Sequence, residues 1–350
     1  MNLKQKAKKI ATWIVVGGML GIFLFDIATM LLGSALEKRY PITDEPFAGH
    51  SGATGPTAGG EASCPPQAQA RIHFLDTGNS DCILLESDGH FALIDSGWGS
   101  GNPNPRARQP GCEQRVLAYL KRVAADENGV VTLDFILPTH YHYDHAGGFP
   151  LILADPAVRV NTVYLRELRT GNQKPYEVER WQIGEIRRRI EEAALARGFT
   201  LEADLPGQPF ALGGMTLQFL NLDSYEDPRC NGENDNSVVT LVRFGQARAL
   251  LMGDITASRG LEKKFAALGR VDLLKLGHHG YSMSTSVPFL REIRPKAAVA
   301  TNGLGQVYPN VRWNLTLFAR CPLFSGAHEN GLIVSLFSDG ELKLTGNLHL

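Results

Sequence analysis

Apolar residues in this chain fall into two kinds of pattern. Residues 10–35 are apolar almost throughout, with Asp26 as the one charge, and they follow a basic stub, residues 1–9, that carries Lys4, Lys6, Lys8 and Lys9. A stretch of this length can span a bilayer, which needs about 20 residues. Its apolar positions circle the helix instead of forming a stripe, so a buried amphipathic helix fits poorly. The basic flank predicts a cytoplasmic N-terminus and an exported remainder. A cleaved signal peptide, cut near Gly33-Ser34-Ala35, is the alternative. Residues 36–69 are rich in Pro, Gly, Ala, Ser and Thr and lack periodicity, which predicts a flexible linker.

From residue 70 the pattern becomes one of short apolar runs between turn residues. Runs at 71–76, 82–86 and 91–95 read as strands, the last two joined around the hairpin signal Asp88-Gly89. Residues 113–123 read as a helix, and 133–137 as a buried strand ending at Pro138. The second half repeats the plan: strands at 237–242 and 249–252, a helix at 261–268, and a strand at 271–276. Asp134 precedes His140 by six residues, and Asp272 precedes His278 by six. The echo predicts two similar layers whose loops meet at one edge. Between them, residues 155–210 read as an insert. Its helix, residues 177–197, has an apolar stripe through Val178, Ile183, Ile186, Ile190 and Ala194. The opposite face carries Arg187, Arg188, Arg189 and Arg197, which reads either as a phosphate-attracting lid or as a solvated face balanced by Glu185, Glu191 and Glu192.

Charge narrows the picture slightly. The chain holds 35 Lys+Arg and 36 Asp+Glu, so nothing supports tight non-specific nucleic-acid binding through phosphate neutralisation. The five cysteines, Cys64, Cys82, Cys112, Cys230 and Cys321, form no C-x-x-C pair. Their odd number leaves at least one thiol unpaired, and export would permit one or two disulfides.

The chemistry concentrates in Thr139-His140-Tyr141-His142-Tyr143-Asp144-His145. Imidazole and carboxylate are the usual ligands of zinc and related ions. In extended backbone His140 and His142 share a face and can grip one ion. A turn would bring Asp144 and His145 to a second. The echo between the halves favours His278 over His279 as the remaining ligand of that second ion, and Asp254 at a strand end would bridge the two. Two such ions, roughly 3.5–4 Å apart, would activate a bridging hydroxide as nucleophile. Asp144 and His279 are the candidate catalytic groups. No G-x-S-x-G is present, so a serine-hydrolase reading fails.

The motif H-x-H-x-D-H at 140–145, with Leu93-Ile94-Asp95-Ser96-Gly97, Gly253-Asp254 and His278-His279-Gly280, resembles the ordered motifs of the metallo-β-lactamase superfamily over about residues 70–345. Phe74-Leu75-Asp76-Thr77-Gly78-Asn79-Ser80-Asp81, Asn234-Asp235-Asn236-Ser237-Val238-Val239 and Lys275-Leu276-Gly277-His278-His279-Gly280 are similar to the hydrolase domain of the ComEC family of bacterial DNA-uptake channels. The resemblance implies a four-layer αββα sandwich at 70–350 behind the membrane anchor, with two divalent ions (Zn2+, with Mn2+ as the alternative) and an extracytoplasmic phosphodiesterase or nuclease activity. It makes Asp95 a supporting residue that orients a loop. Hydrolysis of another ester or amide (a phosphorylcholine ester, a lactone, a β-lactam) and a non-catalytic metal-binding envelope module are the alternatives. One departure stands out: no histidine lies between His145 and His278. The ion at His140 and His142 therefore lacks a third histidine, and Asn236 or Asp235 is the expected replacement, ahead of Glu233 or Asn234. Cys230 reads as structural. Tyr281, Ser282, Ser284, Thr285 and Ser286 could contact a phosphate or simply form a polar loop.

Overall fold

The computed structural model describes residues 70–103, 109–169, 171–327 and 331–346. The predicted anchor at 10–35, the linker at 36–69 and Cys64 lie outside the described residues. Among the described residues no helix is long and apolar enough to cross a membrane.

Two sheets build the domain. The first has the order β15-β14-β1-β2-β3-β4-β5-β6, from β1 (Ala70–Leu75), β2 (Ile83–Ser87), β3 (His90–Ile94), β4 (Val131–Leu137), β5 (Val158–Tyr164), β6 (Thr200–Glu202), β14 (Gly331–Leu336) and β15 (Leu342–Gly346). The second has the order β13-β12-β11-β10-β9-β8-β7, from β7 (Phe210–Leu212), β8 (Met215–Leu220), β9 (Val239–Phe244), β10 (Ala247–Leu251), β11 (Leu273–Lys275), β12 (Ala297–Ala300) and β13 (Leu323–Ser325). In each sheet an antiparallel hairpin, β2-β3 or β9-β10, leads through a helix to a parallel neighbour, β4 or β11. This is the echo expected from the sequence. The supposed insert, however, also supplies β5 and β6 to the first sheet.

Strand alternation makes the layers. Successive side chains point to opposite faces, so Ile83, Leu85, Ala92, Ile94, Phe135 and Leu137 face the second sheet. There they meet Leu217, Phe219, Val242, Ala249, Leu251 and Val299. Leu84, Leu93 and Ile136 point the other way, onto helices α1 (Glu113–Val123), α3 (Phe149–Ala154) and α5 (Ile183–Ala196). On the far side of the second sheet, Leu241, Leu250, Leu274 and Ala298 pack on α6 (Lys263–Ala266), α7 (Val287–Ile293) and α8 (Pro309–Trp313). The result is a mixed α/β sandwich of four layers with its main core between the sheets. Strands buried on both faces read as near-continuous apolar runs, which is why they stand out in the sequence.

Phe135 sits at the centre of the inter-sheet core, edge-on to Tyr164, Phe210 and Phe219. Phe135→Ala is expected to lower stability by about 3–5 kcal/mol, the usual cost of deleting a buried ring. Urea denaturation would measure it, and a loss under about 1 kcal/mol would show that the two sheets collapse into the cavity.

The predicted helix at 177–197 is two helices. α4 (Pro175–Glu179) ends, Gln182 takes a left-handed conformation (φ 50°), and α5 begins. Ile183, Ile186, Ile190 and Ala194 are buried as the stripe required, but Val178 is 50% exposed because it belongs to the separate turn. The arginines are engaged within the fold. Arg188 pairs with Glu185 and Glu192, Arg187 with Glu191, Arg189 with the Tyr143 hydroxyl, and Arg197 with the carbonyls of Leu153, Asp155 and Val158. This is the balanced-face reading of that helix, not a phosphate-seeking one. Cys82, Cys112, Cys230 and Cys321 are buried and unbridged.

Candidate metal centre

The site forms where the loops after β3, β4, β10 and β11 converge, at the carboxyl ends of the strands, as is usual in α/β sheets. Backbone bonds tie these loops together. Asp95 N–H donates to the Leu137 carbonyl (2.9 Å), Val238 N–H to the Thr139 carbonyl (2.9 Å), and His278 N–H to the Gly253 carbonyl (3.1 Å). Gly253 has φ 51°, and a Cβ there would fall 2.8 Å from that of Ser237. Only glycine suits both demands, and the turn it makes directs Asp254 inward. The helix α2 (Tyr143–Ala146) lets the adjacent Asp144 and His145 reach one place.

One group is tightly drawn. His145 Nε2 lies 3.2 Å from Asp254 Oδ1 and 3.2 Å from His279 Nε2. His279 Nε2 is 3.4 Å from Asp254 Oδ1 and 3.4 Å from Asp144 Oδ2. A tetrahedral ion with ligand bonds of about 2.0–2.1 Å would separate its donors by about 3.3–3.4 Å. The donors present therefore fit a zinc-sized ion.

The second ring nitrogens point away and are held. His145 Nδ1–H donates to Asp95 Oδ2 (2.8 Å), while Asp95 also accepts from Thr139 N–H (2.7 Å) and the Thr139 hydroxyl (2.8 Å). His279 Nδ1 is 3.1 Å from Asp81 Oδ1 and 3.0 Å from the Thr301 hydroxyl. The Thr139 hydroxyl spends its hydrogen on Asp95, so it accepts from His140 Nδ1 (3.1 Å). Carboxylate- and hydroxyl-oriented imidazoles of this kind present Nε2 to a metal.

A looser group lies beside the first. His140 Nε2 and His278 Nε2 are 4.0 and 3.9 Å from Asp254 Oδ2, the oxygen opposite the one that faces His145. The rings of His140 and His142 are 4.7 Å apart. His140 Nε2, His142 Nε2 and Asp254 Oδ1 are buried without a hydrogen-bond partner. Such orphaned atoms are costly; a cation in this group would satisfy the two imidazoles, and one in the first group would satisfy Asp254 Oδ1.

Electrostatics agree with this division. Burial, reinforced by His145 and His142, keeps the His140 imidazole well below its ordinary range and hence neutral. Burial opposes charge on Asp254, but His145 and His279 outweigh it and hold the carboxyl well below the usual range. Burial likewise opposes charge on His145 and His279, yet the carboxylates around them, Asp254 foremost, raise both well above the ordinary imidazole range. The cluster demands positive charge, as protons or as a divalent ion.

All six predicted ligands, His140, His142, Asp144, His145, Asp254 and His278, gather here, together with His279. The sequence echo favoured His278 for the second ion, but the structure puts His279 Nε2 at that corner. His278 is instead turned to the Asp254 oxygen shared with His140, and its Nε2 meets the Asn234 amide (3.1 Å). Both histidines adopt positive φ, 47° and 52°, so the equal six-residue spacing on which the echo relied does not fix which side chain reaches that corner. Asn236 and Asp235, expected near the first ion, point elsewhere. Asn236 pairs with Asn172 and Glu233, and Asp235 accepts from the Thr256 hydroxyl and the Asn231 N–H. Cys230 packs in the outer core. Ser284 and Thr285 are buried.

Sequence reasoning assigned no role to Asp81, Lys275 or Glu177. Asp81, His145, Asp254 and His279 offer ligand atoms all within 4.8 Å of one another. Asp81, however, lies behind His279 and is paired with the wholly buried Lys275. Lys275 had a signal: it is the only charge in the otherwise apolar strand end Leu273-Leu274-Lys275-Leu276.

Asp95→Asn tests the orientation. One amide oxygen cannot replace the two carboxylate oxygens that together accept from His145, the Thr139 hydroxyl and Thr139 N–H, so metal affinity should fall about 10–100-fold. Chelator competition would measure it, and an unchanged affinity would remove Asp95 from the support of the site.

Residues 75–200 match the metallo-beta-lactamase superfamily. Over 262 residues, 74% of its length, the chain is 30% identical to Recombination protein 2 of Haemophilus influenzae, and it covers 26% of that protein. It is 23% identical over 320 residues to ComE operon protein 3 of Bacillus subtilis, covering 82% of this chain and 35% of that one. It is 24% identical over 245 residues to Competence protein ComA of Neisseria gonorrhoeae, covering 69% and 28%. The chain thus spans only about a third or less of these relatives. With the H-x-H-x-D-H loop, the paired sheets and these matches together, the chain resembles the metallo-β-lactamase superfamily through residues 75–200 and is similar to ComEC-type competence proteins.

Proposed function

We propose that this chain is a membrane-anchored, metal-dependent hydrolase of phosphodiesters, working outside the cytoplasm. The observation that carries the reading is the Asp144–His145–Asp254–His279 quartet, whose donor spacings of 3.2–3.4 Å suit one ion while Asp254 turns its other oxygen to a second group. When bound, two divalent ions, Zn2+ or Mn2+, would lower the pKa of water and stabilise charge on the attacked group. The chain's own residues hold and aim. Asp254 spans both groups, Asp95 and Asp81 fix the imidazoles of His145 and His279, and Asp144, the least buried of the quartet at 16%, stands at the mouth.

Thiol chemistry is a poor competitor. Burial pushes the Cys112 and Cys230 thiols up to about 12 and raises Cys82 and Cys321 as well, whereas a nucleophilic thiol needs a lowered value. A phosphodiester is favoured over other esters because the relatives are named for competence and recombination, processes of nucleic acid. The anchor at 10–35 and the export of residues 70–350 follow from the apolar run and its basic flank.

The test is the full chain in detergent, loaded with Zn2+ or Mn2+, assayed on bis-p-nitrophenyl phosphate, DNA and RNA with and without chelator. Chelator-sensitive cleavage is expected. Its absence on all three, with turnover of a lactone or β-lactam instead, would move the reading to another leaving group.

A further inference from the structure

The sequence offers the His140–His142 ion no histidine between His145 and His278, and the segment between β5 and β6 brings a carboxylate beside His142. Glu177, on α4, is 1% exposed, and its Oε1 lies 3.5 Å from His142 Nε2. The separation is long for a hydrogen bond, and it leaves room for both atoms to turn toward one cation. Glu177 is also fixed. Its Oε1 accepts Glu233 N–H (3.0 Å), and its Oε2 accepts Lys174 N–H (2.7 Å). A carboxylate oxygen has lone pairs to spare beyond one such bond. Trp181, just past the same helix, packs its ring 4.1 Å from that of His142. The other acid nearby, Glu233, is occupied by Tyr141 N–H and the Asn236 amide.

We infer that Glu177 is a further protein ligand of the His140–His142 ion, beside Asp254, so that α4 and Trp181 cover that ion. A hard oxygen donor in place of a histidine would shift the preference of this ion toward metals that favour carboxylate. The inference rests on the two-ion reading above.

Two measurements on the full chain test it. The first titrates Zn2+ and Co2+ into the apoprotein by chelator competition, following the Co2+ ligand-field bands. Wild type should take two ions. Glu177→Gln should lose affinity for one of them by at least about 10-fold, with altered Co2+ bands, and keep the other. Two ions with unchanged affinity and bands in Glu177→Gln would overturn the inference. No ion in the wild type would instead sink the metal reading itself. The second measurement needs no variant and covers the case in which Glu177→Gln fails to fold. In a crystal of the wild-type chain soaked with Zn2+, an anomalous peak about 2.0–2.2 Å from a Glu177 oxygen and from both imidazoles is expected. A peak at His140 and His142 completed by His278, Glu233 or solvent alone would overturn it.

Discussion

Asp254→Ala should reduce chelator-sensitive phosphodiester hydrolysis by about 10³-fold or more. Metal ions supply several kcal/mol of charge stabilisation, and each 1.4 kcal/mol or so is tenfold in rate. Asp254 is the single point of failure because it alone faces both groups. Oδ1 is 3.2 and 3.4 Å from His145 and His279, while Oδ2 is 4.0 and 3.9 Å from His140 and His278. Removing it takes a donor from each ion and also the strongest counter-charge of two buried imidazoles. Substituting His142 should be less general, since among the candidate ligands that side chain meets the His140 group and Glu177, with Trp181 packed on its ring. The measurement pairs the rate on bis-p-nitrophenyl phosphate with metal content by mass spectrometry. Asp254→Ala retaining both ions and a rate within about tenfold of wild type would end the bridging assignment.

Much of this site was legible in the sequence because it lies next to strongly patterned strands. The runs at 91–95, 133–137 and 249–252 announced β3, β4 and β10, and with them the loops of Asp95, His140–His145 and Asp254. What the pattern could not convey were contacts across long sequence separations. Glu177 reaches His142 from a short helical turn whose apolar residues give no stripe. Asp81 meets Lys275 across 194 positions with no period to betray it. The choice between His278 and His279 failed for a different reason. Matching positions by spacing assumes the same backbone in both halves, and both residues lie in the left-handed region, where adjacent side chains no longer diverge as they do in a strand. Strained backbone of this sort gathers at functional sites. The strands β5 to β8 and β12 to β15 were not predicted; of these β6, β7, β12 and β13 are only three or four residues long, and β6, β7, β13 and β15 lie at sheet edges.

Lys275→Met should destabilise the metal-free chain by roughly 3–5 kcal/mol, the usual cost of removing one partner from a buried ion pair. Lys275 has no side-chain exposure and Asp81 only 1%. The ammonium pairs with Asp81, donates to the Gly253 carbonyl (2.9 Å), and stands 4.0 Å from Asp254 Oδ1. Methionine would keep the packing of the stem and lose the charge, leaving the Asp81 carboxylate in the core with His279 and the Thr301 hydroxyl as its remaining partners. The double variant Asp81→Asn/Lys275→Met should recover most of the loss, because no orphaned charge remains. pH separates this from a simple packing defect. Burial opposes ionisation of Asp81, but Lys275 and His279 outweigh it and hold its carboxyl below the usual range. In the wild type its contribution is therefore present above the unfolded value of about 3.9 and fades as pH falls through the folded one. Without Lys275 the folded value rises, and the penalty for the lone carboxylate is then greatest near neutrality and shrinks on acidification. Urea unfolding in chelator at pH 7 and near pH 4 should thus show a deficit that narrows at the lower pH. An equal deficit at both, or a double variant no more stable than the single, would mean that Lys275 matters for its stem and not for its charge.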